Sequence, residues 1–279
     1  NHPRMIKAEL MNRIGAIGAQ DTDLLDIGEA ALLLANLDHP ESNIAAYEEE
    51  LTLITSDMKA ASHGADTLAD RITVLSDVLY KQHQFHGDVE TYDDPQNANL
   101  MRVIDRRKGL PVALGILAIH AGRAVGWEIS GLNFPGHFLL RLSRAGEHAF
   151  IDPFDEARQV NTEDLQNIFL RLHGQKMPRQ AEFTQAVSDR DILVRLQNNI
   201  KIRALNEGDR ERGIEILQTI ALLVPRNVET LTELAIQEVS MGSIKSALGR
   251  INGYMSRNPN SGHERNLSAL KEKLNRSLN

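Results

Sequence analysis

Hydrophobic residues recur at three- and four-residue intervals over most of the first 87 positions, and polar breaks divide that stretch into helices. Leu24, Leu25, Ile27, Ala31, Leu32 and Ala35 share one apolar face. Asp21 is placed to cap that helix, His39-Pro40 to end it and Ser42 to cap the next. A third helix is expected from about Asp66 to Phe85, carried by Leu68, Ile72, Leu75, Val78 and Leu79. Gly87 to Asn97, rich in Asp with one Pro, reads as a loop, and a short helix with Leu100, Val103 and Ile104 follows.

From Pro111 to Val125 the polar face disappears: Val112, Ala113, Leu114, Ile116, Leu117 and Ile119 leave room for little else. A helix apolar all round belongs inside a core, and Pro111 suits its first turn, where a backbone N–H has no partner to lose. After Gly126 come three extended segments, roughly Glu128 to Asn133, His137 to Leu142 and His148 to Ile151, punctuated by Gly131, Pro135-Gly136 and Ala145-Gly146. A small antiparallel sheet packed on the buried helix is the arrangement they predict. Helix returns from about Thr162.

The last 90 or so residues repeat. Gly208, Gly213, Ile214, Leu217, Ala221 and Pro225 recur 34 positions later as Gly242, Ala247, Leu248, Ile251, Met255 and Pro259. A 34-residue period of helix, turn, helix resembles the tetratricopeptide repeat. Two units are too few to stand alone, so the array is expected to pack on the preceding domain, with a helix from about Gly262 to Leu278 covering its end.

Composition narrows the function classes. The chain has 42% hydrophobic and 25% charged residues over 279 positions and a net charge of −7, as expected of a globular chain with about two domains. The acidic balance argues against nucleic acid or an anionic membrane as partner. The basic cluster Arg102, Arg106, Arg107 and Lys108 closes a helix, where cations complement the dipole. No run of about eighteen apolar residues exists to span a membrane, and no signal-like start is seen, so the expected location is cytoplasmic. Asn1-His2-Pro3-Arg4 is set aside from the fold reading. With no cysteine at all, the chain forms no disulfide, thiolate metal site or covalent thiol intermediate.

One constellation carries chemistry. With a hairpin turn centred between Arg144 and Ala145, His137 lies directly across from Asp152, on the same side of the sheet and close enough for the carboxylate to orient the imidazole. A four-residue loop leaves the two diagonal but on one side; a three-residue loop separates them. In this constellation the chain resembles the transglutaminase-like superfamily, with its papain-like core. That motif runs Gly, any residue, Cys, then Arg twelve and Gly fifteen positions beyond. Gly109, Arg123 and Gly126 fit those spacings, Pro111 falls at the Cys position, and His137 and Asp152 match the other two members. More narrowly, the chain resembles the SirB family, in which this core precedes tetratricopeptide repeats. The resemblance rests on Tyr92, Asn97 and Leu100, Arg107 to Pro111, Pro135 to Arg141, and Ile151 to Phe154. It covers roughly residues 80 to 279 and implies that the missing Cys is a property of the group.

Periodicity and the resemblance together predict an α+β, mostly helical chain: N-terminal helices, read from the pattern, and a transglutaminase-like core over residues 1–188, and repeats with a capping helix over 189–279. Proline has neither thiol nor N–H, so acyl transfer through a thioester at Pro111 is excluded. His137 and Asp152 read either as a retained acid–base pair or as a polar pair that holds a hairpin together, and the second reading is preferred. Arg141, on the strand face of His137, reads as an anion-binding group or a solvated edge charge; Asn97 and Tyr92 read as pocket rim or as turn-formers. His83 and His86 near Asp88, Asp93 and Asp94 make a weak metal signal, and Glu48 to Glu50 a solvated face, so neither a metal nor a cofactor is expected. The favoured function is a non-catalytic scaffold that binds a protein or peptide through the repeats, with oligomeric state left open. The alternatives are a hydrolase or transferase using His137 and Asp152 as a general base, and a small-ligand sensor.

Overall fold

The computed structural model describes residues 5–179 and 181–278; Asn1 to Arg4 lie outside them. Helices α1 (Lys7–Ala19), α2 (Ile27–Asp38) and α3 (Ile44–Ala61) come first. The caps are not Asp21 and Ser42: Asp26 accepts from the N–H of Glu29 and Asn43 from that of Ala45, because each stands immediately before its helix, where a side-chain oxygen reaches an unpaired N–H. The third predicted helix is two pieces. Helix α4 (Leu68–Ser76), with a reciprocal Thr67–Asp70 capping box, runs into a π-helical turn from Asp77 to Gln82.

The two-residue strand β1 (His86–Gly87) opens the Asp-rich loop, which contains a 3-10 turn from Pro95 to Ala98. Helix α5 (Leu100–Arg106), strand β2 (Lys108–Gly109) and helix α6 (Pro111–Ala124) follow, and β1 pairs with β2 in parallel. From Pro111 to Ile119 every residue of α6 is buried. Then come β3 (Glu128–Leu132), β4 (Leu140–Arg144), β5 (Glu147–Asp152), β6 (Arg158–Val160), α7 (Thr162–His173), a 3-10 turn from Ala181 to Thr184 and β7 (Ala186–Val187). The sheet has five antiparallel strands in the order β6-β5-β4-β3-β7, two more than the three segments the alternation marks. Both extra strands are only two or three residues long, too short to show a period of two.

Alternation along the strands sends Ile129, Leu140, Leu142 and Ile151 to one face and Phe150 and Val160 to the other. The first face meets α6, where Gly122 lies so close to Ile129 that an added Cβ would come within 2.9 Å of its Cγ2. The second meets α7 through Leu139, Val160, Leu165, Ile168 and Phe169, beside Phe134.

Helices α8 (Asp189–Asn206), α9 (Arg210–Leu223), α10 (Val228–Ser240), α11 (Ile244–Arg257) and α12 (Glu264–Leu278) complete the chain. Helices α8 and α10 end 34 positions apart, and so begin α9 and α11. Gly208 and Gly242 turn between them, both with φ near +80°, a conformation that costs glycine nothing. The chain divides into two compact units: residues 1–13 with 21–196, and 14–20 with 197–279. The division therefore falls inside α8, and part of α1 belongs to the C-terminal unit. Among the described residues no helix is long and apolar enough to cross a membrane.

One buried ion pair ties the first unit together. Arg123, near the end of α6, donates to both oxygens of Asp189 (2.5 and 2.9 Å) and to the carbonyl of Ile129, and Asp189 also accepts from the N–H of Leu25. The Asp189 side chain is 1% exposed. In urea unfolding at neutral pH, Arg123→Met is expected to lose about 3–5 kcal/mol, because it strands a buried carboxylate. Pairing it with Asp189→Asn is expected to restore most of that; equal stability of Arg123→Met and the parent would contradict the assignment.

Candidate functional site

The dyad forms. His137 Nε2 lies 2.9 Å from Asp152 Oδ2, and the N–H of Phe154 donates to the other carboxylate oxygen at 2.9 Å. Asp152 is buried and the imidazole is partly so. The route to this geometry differs from the expected one. Arg144 pairs with Glu147, so the turn is Ala145-Gly146, one residue later than expected. Both residues have positive φ (51° and 81°), as a two-residue hairpin turn requires. Shifting the centre by one residue shifts the pairing by two, which makes His137 and Asp152 diagonal while keeping them on one side. Nor is His137 on a strand: Pro135-Gly136 bends the chain, Gly136 at φ +84°, and pairing begins only at Leu140.

Aromatic rings packed on glycines hold both ends of the dyad. Phe138, next to His137, lies against Gly115 so closely that a Cβ there would meet its ring at 2.3 Å. Gly115 is one turn beyond Pro111 on the same face of α6. Phe154, whose N–H braces Asp152, lies equally tight on Gly87, where a Cβ would meet its ring at 2.6 Å. Gly87 pairs in register with Gly109, two residues before Pro111. Both ends are thus drawn to the first turns of α6.

Two residues that the sequence reading did not single out, Tyr80 and Arg195, complete the surroundings. Tyr80, in the π-helical turn, donates from its hydroxyl to the Pro153 carbonyl at 2.6 Å. Burial first, and then the Asp152 carboxylate, push its pKa far above the tyrosine range, so it stays a neutral donor. Phe154 meets the Tyr92 ring edge-on at 5.7 Å. Arg195 of α8 lies 5.3 Å from the centre of the Phe138 ring, and burial lowers its pKa from the usual value. The apolar spacing around Asp77 is that of an ordinary helix, so no sequence signal marked the change of helix type that places Tyr80.

The other candidates fall elsewhere. Arg141 donates to the Thr184 carbonyl, so its guanidinium staples the 3-10 turn ahead of β7. Tyr92 is 45% exposed, at the rim beside Phe154. Asn97 is fully buried and plays the turn-forming part: its amide donates to the carbonyls of Thr91 and Tyr92, and its oxygen accepts from Arg106. His83 bonds Asp57 of α3 at 2.6 Å, whereas the exposed ring of His86 lies nearest the Gln84 carbonyl. No group of three His, Asp or Glu among the described residues is placed to hold a metal.

The basic cluster is more than a helix end. Arg106 and Lys108 lie 3.2 and 4.0 Å from Asp88, whose side chain is 1% exposed, and Arg107 pairs with Glu50 at 2.8 Å. Glu50 therefore leaves the solvated face assigned to Glu48 and Glu49. Burial would raise the Asp88 carboxyl, but the Thr91 hydroxyl and N–H, the Asn97 side chain and Lys108 together hold it well below the usual carboxylate range.

Residues 45–198 match the family model for the transglutaminase-like superfamily. The chain belongs to that superfamily. Among the relatives of this transglutaminase-like chain, a UPF0162 protein of Pseudomonas aeruginosa is 32% identical over 197 residues, covering 71% of this chain and 72% of its own. One of Vibrio cholerae is 30% identical over 190 residues, covering 67% and 70%. Human F-box only protein 21 is 27% identical over 145 residues, covering 49% of this chain and 22% of its own length.

The Asp88 network makes acid stability a readout of the loop. Its folded pKa lies below the unfolded value of about 3.9, so the stability it supplies is complete above that value and is lost as pH falls through the folded pKa. The parent's advantage over Asp88→Asn is expected to shrink as the pH drops from about 5 towards 2. Urea titrations across that range measure it, and a pH-independent difference would contradict the charge-based account.

Proposed function

We propose that this chain is a thiol-free transglutaminase-like protein that binds a protein or peptide partner and regulates rather than catalyses. The observation that carries the reading is Pro111 as the first residue of α6. A superfamily nucleophile at that position would need a thiol, lowered in pKa by the helix end, and N–H donors for an oxyanion. Proline supplies neither thiol nor N–H, while His137 stays bonded to Asp152, the first held through Phe138 on Gly115 of α6 and the second through Phe154 on Gly87 of β1. A frame kept without its nucleophile is suited to recognition.

The C-terminal helices supply the partner surface in this proposal. Their boundaries recur at 34 residues and their turns use glycine at equivalent positions, which supports a tetratricopeptide-type array. Stacked helix pairs present an extended face suited to a peptide or a helix.

A second reading has one observation in its favour. With Nε2 committed to Asp152 and that carboxylate fixed by Phe154, the imidazole is oriented as a general base would be, with Nδ1 left for water or a substrate hydroxyl. One experiment separates the two. The full chain is incubated with a panel of glutamine-peptide, ester and thioester substrates, and in parallel its lysate partners are mapped by crosslinking mass spectrometry. The expected result is no turnover, together with reproducible crosslinks on residues 197–279. Turnover abolished by His137→Ala would overturn the binding reading in favour of the general base.

A further inference from the structure

The C-terminal unit contains a pocket of about 360 Å³ that the dyad does not use. We infer that it takes a segment of a partner protein in which an apolar side chain stands beside a carboxylate. The inference rests on the partner-binding reading and adds the partner's chemistry to it.

The pocket exists because α1 approaches α9 unusually closely. A Cβ on Gly18 would fall 1.7 Å from the Leu222 carbonyl oxygen, so only glycine allows this contact. Gly15 and Ala19, on the same side of α1, then leave space where larger residues would fill it. The floor is apolar, formed by Leu222, Val224, Leu231 and Leu234. Its size is at the small end for ligand cavities, which suits one or two anchoring side chains of a peptide better than a whole cofactor.

Charge decides what accompanies the apolar anchor. Arg250 and Arg257, seven positions apart on one face of α11, line the pocket, and among the described residues that line it none is acidic, the buried Glu238 that pairs with Arg250 lying behind the lining. Arg250 is committed at one nitrogen, its Nε donating to Glu238 at 2.7 Å. Arg257 lies along its own helix over Gly253, where a Cβ would come within 3.1 Å of its Nη1, so a glycine lets the guanidinium lie beside the opening. An apolar floor under a guanidinium rim matches an apolar residue next to Asp, Glu or a terminal carboxylate, since the cation forms its strongest hydrogen bonds with that group.

The test uses the full chain and a random dodecapeptide library displayed on phage. Enriched peptides are resynthesised and titrated by fluorescence anisotropy against the parent, Arg257→Glu and Ala221→Trp, the last placing a bulky ring in the pocket. The expected outcome is enrichment of Leu, Ile or Phe beside Asp or Glu. Affinity should fall at least tenfold in Arg257→Glu, with a comparable loss in Ala221→Trp. Circular dichroism melts establish that each variant folds, and Arg257→Glu, at the exposed end of α11, carries the result if Ala221→Trp does not. Enriched peptides without acidic residues, or peptides that bind the parent and Arg257→Glu alike, overturn the pocket assignment while leaving crosslinked partners on the repeats intact. Failure to enrich any peptide overturns it as well.

Discussion

The arrangement around the dyad depends on two rings seated on two glycines. Phe138 on Gly115 and Phe154 on Gly87 approach more closely than any Cβ would permit, and each ring is joined to a dyad member by one or two residues of chain. Dense packing of this kind transmits position, because side chains in a well-filled interior have no slack in which to drift. The bond between His137 and Asp152 is therefore set by where α6 and the β1–β2 bridge lie. The geometry of the dyad is thus set independently of the residue that opens α6, here Pro111.

Most of the fold was legible because its signals are periodic. The core helix announced itself by the absence of polar positions after Pro111, and the C-terminal helices by residues recurring at 34. What was hidden lies where local chemistry overrides a pattern. A left-handed Ala145 moved the hairpin turn by one residue, and only the parity of that shift kept the dyad together. The π-helical turn at Asp77 has the same apolar spacing as an ordinary helix, so Tyr80 gave no sign of its hydrogen bond to Pro153. Arg195 is distant in sequence from everything it touches in the site, and no local pattern could have placed it over Phe138.

Charged residues were the harder class. The basic run at Arg102 to Lys108 looks solvated in sequence because its partners, Glu50 and Asp88, stand some 20 to 60 positions earlier. The Asp88 pairs, buried on the carboxylate side, add little net stability over a well-packed apolar alternative, but that carboxylate left alone is costly. Their effect is to make one arrangement of the Asp-rich loop far better than its competitors. Asn97 belongs to the same network, its amide spent on the loop carbonyls and its oxygen on Arg106, which is why an apparent rim residue proves to be internal.

The π-helical turn also has a consequence for chain length. A π turn carries one residue more than the α-helical path between the same ends, and each residue in an α-helix advances the side chains by about 100°. A homologous chain one residue shorter between Asp77 and Gln82 would run on as regular helix and rotate its phenol away from the carbonyl after Asp152. Chain length at that point is thus constrained by a single hydrogen bond, that of Tyr80 to the Pro153 carbonyl.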